Sequence, residues 1–226
     1  GLSLTNILYI CRMIFSEKVA SEVARSLLQI KAIKLQPTNP FTWASGVKSP
    51  IYCDNRKILS YPDIRSYVKS QLAVSINEKF EKPDVIAGVA TGGIAHGALV
   101  AEEMGLPFVY IRSNVKAHGL NNMIEGDLGQ DKKVVVVEDL VSTGGSSLKA
   151  VDAIRAENCQ VLGMTAIFTY GFDIAKENFE KSNCELVTLS HYDILIQEAL
   201  KENYIEEKEF ELLQTWRKNP GWIKLE

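Results

Sequence analysis

At 226 residues, 46% of them apolar, the chain can bury one large core with a small subdomain attached. Its formal charge of −3 is built from dispersed Lys, Arg, Asp and Glu with no basic run, which argues against a nucleic-acid surface. Cys11, Cys53, Cys159 and Cys184 lie far apart, with no C-x-x-C pair and no nearby His, so a zinc site is not indicated and buried free thiols in a reducing compartment are expected.

The apolar run Ile7 to Phe15 is interrupted by Arg12 and is too short to span a bilayer, and no small-residue cleavage site follows it. A cytoplasmic protein with no membrane association is expected, with a few residues trimmed ahead of Gly1. From Ser16, a plausible N-cap, Val19, Ala20, Val23, Ala24, Leu27 and Leu28 recur at helical spacing, which predicts a helix that ends before Pro37. Between Pro37 and Pro62 the pattern shifts to extended pieces, FTW and PIYCD, joined through Ser45-Gly46, a hairpin outside the main sheet. A second helix is predicted from Pro62 to Phe80, with Ile64, Val68, Leu72 and Ile76 on one face.

After Pro83 strand and helix alternate. DVIAGVA, PFVYIR, KVVVVED, VLGMTAIFTY and CELVTLS read as strands, with helices after ATGG and at SSLKAVDAIRAE. Strands this uniformly apolar are covered on both faces, so an α/β fold with a central, mostly parallel sheet flanked by helices is predicted. The segment from Arg112 to Lys133 breaks the rhythm with no sustained period, and long aperiodic segments of this kind are functional lids or links. From Tyr192 the chain turns helical and charged and ends in Trp216 and Trp222, a terminal helix packed on the body.

The stretch VVVVEDLVSTGGSS, residues 134–147, carries the chemistry. In an open parallel sheet ligands bind at the carboxyl ends of strands, where Glu138 and Asp139 arrive. Leu140 and Val141 lead into Ser142, Thr143, Gly144, Gly145 and Ser146, hydroxyls and glycines that open a helix whose free N–H groups favour an anion. Carboxylates beside a phosphate would repel it, so they should face vicinal hydroxyls, which makes acid followed by cradle read as a ribose followed by its 5-phosphate. The plainer reading is a capped helix after a tight turn. No G-x-x-x-x-G-K-[ST] occurs and no G-x-G-x-x-G follows a strand, so neither an ATPase nor a dinucleotide-dependent enzyme is indicated.

This stretch resembles the signature of the type I phosphoribosyltransferases, and FTWASGVKSPIYCDNR together with IRSNVKAHG resembles the orotate phosphoribosyltransferases among them. The resemblance spans Phe15 to Phe179. It implies the type I phosphoribosyltransferase fold as one domain over 1–226, with hood elements about 1–60, a core about 61–190 and a helical segment about 191–226. It further implies transfer of the 5-phosphoribosyl group from 5-phosphoribosyl-1-diphosphate to orotate, giving orotidine 5′-monophosphate and pyrophosphate, in pyrimidine biosynthesis. Mg²⁺ is implied as cofactor, held mainly by the diphosphate with no confident direct protein ligand, and so is a homodimer whose lid loop is shared between subunits.

The resemblance also assigns residues. Arg112, Lys116 and His118 match the basic positions that close over the pyrophosphate, with Lys116 stabilising the leaving group. Glu138 and Asp139 join Lys116 as the catalytic set, and Ala90, Thr91, Gly92 and Gly93 match the pyrophosphate loop. Ser142 matches the position that touches the base. Three cations of the pattern are absent: Ala44 and Tyr170 replace a Lys and an Arg, and Ser113 stands at a basic loop position. Arg56 and Lys48 are therefore the candidates for the orotate carboxylate, whereas His96 reads as structural. Two other readings stay open, a transferase of this fold acting on another base and a non-catalytic sensor of the diphosphate.

Overall fold

The computed structural model describes residues 13–42, 48–112 and 123–220. Its spine is a six-stranded sheet of β5 (Val85–Val89), β6 (Phe108–Ile111), β7 (Ile124–Glu125), β8 (Lys133–Val141), β9 (Gln160–Thr169) and β10 (Leu186–His191). The first four strands of the chain, β1 (Ile33–Leu35), β2 (Phe41–Thr42), β3 (Lys48–Ser49) and β4 (Ile51–Cys53), lie outside it. The spatial order is β10-β9-β8-β5-β6-β7, parallel throughout except for β7, which returns antiparallel to β6. The predicted α/β architecture, mostly parallel and flanked by helices, is therefore present.

Alternation along the buried strands sends successive side chains to opposite faces and builds two cores. One contains Val135 and Val137 with residues of α1 (Glu17–Gln29), α2 (Pro62–Lys79), α3 (Gly92–Met104) and α6 (Tyr192–Lys201). The other contains Val134 and Val136 with residues of α4 (Gly145–Ala156) and α5 (Asp173–Lys181). α1 belongs with the body: Val23, Ala24 and Leu27 are fully buried, and Ser190 Oγ of β10 donates to the Ala20 carbonyl at 2.8 Å.

The first helix ends before Pro37 as expected, and local detail departs from the sequence expectation in two later places. The first helix stops at Gln29, Lys31 takes a left-handed conformation (φ 55°), and the β-branched Ile33 starts a strand. FTW and PIYCD do not pair with each other: β2 pairs with β3, and β4 pairs with β1, giving two short antiparallel ribbons. The terminal helix is two helices, α6 and α7 (Glu207–Lys218), divided where Asn203 turns left-handed (φ 55°) and a Glu206/Glu209 capping box restarts the helix. α7 is fastened by Tyr192 Oη, which donates to the Leu213 carbonyl at 3.1 Å, and by Arg217, which meets Asp193 at 3.0 Å and the Gly171 carbonyl at 2.9 Å. No helix among the described residues is long and apolar enough to cross a membrane.

Candidate active site

From β5 the chain adds β6 on one side and then β8 on the other, so the direction of winding reverses between β5 and β8. At such a reversal the loops leaving the two carboxyl ends diverge and open a crevice. Residues 90–93 and 139–146 span those loops together with the strand end and helix starts they join. β8 also overhangs its neighbour: its pairing with β5 stops at Val137, whereas its pairing with β9 continues to Val141.

The cradle is held by backbone bonds from the elements around it. The Val141 carbonyl accepts from Tyr170 N–H at 3.2 Å and from Thr169 Oγ1 at 3.0 Å, and the Thr143 carbonyl accepts from Asn178 Nδ2 at 2.9 Å. Gly144 is the N-cap of α4 at φ 85°, and a Cβ there would lie 2.8 Å from Phe179 Cε2. Only glycine combines this left-handed backbone with that proximity. Ser142 and Thr143 are half-buried and Gly145 and Ser146 exposed, so hydroxyls and the first N–H groups of α4 meet solvent together.

Glu138 and Asp139, read from the sequence as a pair on the ribose, part company in the structure because adjacent strand residues face opposite ways. Glu138 is 5% exposed and points to the α4 side, where its carboxylate accepts from Ser147 Oγ at 2.9 Å and from the Asp139 N–H at 3.0 Å. Burial first, and then the neighbouring Asp139 charge, push its pKa well above the carboxylate range. Asp139 is half-buried on the α3 side, and a Cβ on Gly92 would fall on its carboxylate, so the turn into α3 and this acid touch. Leu140 is half-buried beside it.

The second loop turns through a cis Ala90–Thr91 peptide into α3, with Thr91 exposed and Gly92 half-buried. Its closeness to Asp139 brings two sequence-predicted motifs onto one ligand surface. Arg112 ends β6, where its guanidinium meets Glu125 of β7 at 3.3 Å and its N–H donates to the Met123 carbonyl at 2.8 Å. The expected lid thus has a paired stem in place of an aperiodic start. Lys116, His118 and Ser113 lie outside the described residues, as do Ala44 and Cys11.

From the two ribbons, Arg56 is exposed and pairs with Asp54 at 2.7 Å. That hydrogen bond raises its pKa, with a lesser contribution from Asp139, which puts the guanidinium within electrostatic reach of the cradle. Lys48 is exposed on β3, opposite Thr42. Tyr170 is 3% exposed and packs among Phe168, Phe172 and Trp216. Tyr170, where the sequence resemblance implies an Arg, therefore belongs to an aromatic cluster beneath α7.

Sequence reasoning missed Asn55, which is 1% exposed and donates through Nδ2 to the Asp139 carbonyl at 2.7 Å. A polar residue in a short loop carries no local signal for a contact 84 positions away. His96, read as structural, is 2% exposed, and burial lowers its pKa and favours the neutral ring. Among the described residues no three His, Cys, Asp or Glu side chains group as a metal cage.

A model of the phosphoribosyl transferase domain matches residues 63–203, which include both crevice loops. The orotate phosphoribosyltransferase of Porphyromonas gingivalis is 61% identical over 198 residues, covering 88% of this chain and 94% of that protein. That of Listeria innocua is 53% identical over 202 residues, covering 89% and 97%. Among solved structures, the orotate phosphoribosyltransferase from Aeropyrum pernix superposes with a TM-score of 0.71 at 26% identity, covering 81% of this chain and 99% of that one. Cradle, switch-point crevice and relatives agree, and the chain belongs to the orotate phosphoribosyltransferases of the phosphoribosyl transferase domain family.

Proposed function

We propose that this chain transfers the 5-phosphoribosyl group from 5-phosphoribosyl-1-diphosphate to orotate, yielding orotidine 5′-monophosphate and pyrophosphate for pyrimidine synthesis in the cytoplasm. The observation that carries the reading is the convergence, at one switch point, of the Asp139 carboxylate, the Gly92 turn and the open N-terminus of α4. The 5-phosphate sits on the α4 N–H groups and the hydroxyls of Thr143 and Ser146, between Ser142 and Gly145. Asp139 accepts from the ribose hydroxyls, and Glu138 works from behind, holding the Asp139 N–H and Ser147.

In the reaction the bond between the anomeric carbon and the diphosphate oxygen breaks, its electron pair leaves with pyrophosphate, and the deprotonated N1 of orotate bonds to that carbon. Positive charge grows on the ribose near Asp139, and negative charge grows on the leaving group, which needs cationic partners. The N–H groups of Thr91 and Gly92, together with Arg112, Lys116 and His118, supply that side. Arg56 and Lys48 meet the orotate carboxylate, and Ser142 the ring. Mg²⁺, when bound, neutralises diphosphate charge. Its ligands would be mostly phosphate oxygens and water, with Asp139 a carboxylate of the crevice that could join them. The working unit is a homodimer with the lid loop between Arg112 and Lys133 shared between subunits.

Orotate consumption followed by ultraviolet absorbance, with the diphosphate and Mg²⁺, compares wild type with Lys116→Ala. A fall in kcat of about a hundredfold with little change in KM is expected for a group acting on the leaving pyrophosphate. Absence of wild-type turnover on orotate, with the diphosphate still bound, would replace this reading by another base or a sensor.

A further inference from the structure

We propose that Asn55 is a positioning residue that locks the hood to the Asp139 backbone and so sets where the ribose-facing carboxylate stands. Asp139 lies on the overhang of β8, past the last pair with β5, where a backbone carbonyl has lost a neighbouring strand. The Asn55 amide reaches it at 2.7 Å from a side chain that is 1% exposed.

The amide is itself fixed at its other end and through its backbone. Asn55 Oδ1 accepts from Cys53 Sγ at 3.3 Å, which settles the amide orientation with nitrogen toward Asp139. Burial, with Asp139 next, raises the Cys53 pKa, so the sulfur keeps the proton it donates. The Asn55 backbone hydrogen-bonds His96, which stands one turn along α3 from Gly92, the residue against the Asp139 carboxylate. Three elements therefore meet at one residue: the end of β4, the start of α3 and the overhang of β8. A shift of the hood is transmitted to the carbonyl of Asp139 and, through Cα and Cβ of the same residue, to its carboxylate.

The inference rests on the reading of Asp139 as the ribose-facing acid. Its test is the kinetics of Asn55→Leu, which keeps the volume and removes both amide bonds, normalised to folded protein by thermal unfolding. The expected result is at least a tenfold fall in kcat/KM for the diphosphate substrate, with the KM for orotate changed less than twofold. Asn55→Ser, too short for the carbonyl but able to admit a water, carries the same test if the leucine variant does not fold, with a smaller fall expected. A lower Tm with unchanged constants per folded molecule would make Asn55 a structural tie only and overturn the proposal. Failure of wild type to consume orotate would instead overturn the functional reading.

Discussion

The phosphate cradle and the hood face the same crevice but are held in opposite ways. In residues 141–144 the Val141 carbonyl is held by Thr169 and Tyr170 and the Thr143 carbonyl by Asn178, and the ring of Phe179 closes on Gly144. The hood is two ribbons of two or three residues per strand, seated on the body by the buried side chains of Ile33, Ile51 and Ile58, to which Asn55 adds a buried hydrogen bond on the Asp139 carbonyl. A phosphate site gains from rigidity because its ligand is the same in every substrate of this kind, and N–H groups fixed in advance spend no ordering entropy on binding. The base site is where discrimination occurs, and the exposed side chains of the ribbons can change without disturbing the cradle.

If this contrast is right, a small change in the cradle should damage folding and activity together. Gly144→Ala adds a Cβ at φ 85° and drives it toward Phe179. The left-handed backbone costs about 1–2 kcal/mol and overpacking a further 1–3 kcal/mol. Thermal unfolding should fall by roughly 5–10 °C for a domain of this size, with a higher KM for the diphosphate. An unchanged Tm would mean that the cradle yields easily and that the contrast with the hood is false.

A change in the hood should do the reverse. Arg56 is exposed, and its pair with Asp54 is of the kind that contributes little to stability. Arg56→Ala should leave Tm unmoved while raising the orotate KM about tenfold, the scale of one lost charge-assisted contact. An unchanged orotate KM would pass the role to Lys48. Equal rises for both substrates would show that the hood serves the diphosphate as well.

How much was legible beforehand follows the same division. The cradle was readable because its chemistry is contiguous: strand, acid, hydroxyls, glycines and helix follow one another in the chain, and each local preference points the same way. The parallel sheet was readable from runs such as Val134 to Val137. The hood was not, because its pairings skip over each other, β1 with β4 around β2 with β3, and short strands carry too few residues to show a period. Asn55 was invisible for the same reason that it is informative: its partner is 84 residues away. The separation of Glu138 from Asp139 could have been derived, since alternation in a strand running on to Val141 requires it. It was missed because the strand was taken to stop at Asp139.

That separation leads to the smallest of the expected effects. Gln at position 138 can accept from the Asp139 N–H through its oxygen and donate through Nε2 to the Ser147 hydroxyl, so kcat/KM of Glu138→Gln should stay within about threefold of wild type. The stability should respond to pH instead. The pKa of Glu138 is raised in the folded state, mainly by burial, so below the ordinary carboxylate range both states hold the proton and the wild type carries no penalty. As pH rises past the unfolded value, the unfolded chain releases its proton while the folded one retains it, and wild-type stability declines until the folded pKa is reached. A glutamine has no such titration. The Tm of the variant minus that of wild type should therefore be near zero in acid and grow as pH rises above the usual glutamate pKa. A collapse of kcat/KM would put Glu138 on the substrate beside Asp139, and a Tm difference that does not change with pH would mean that the Glu138 carboxyl titrates no differently in the folded chain than in the unfolded one.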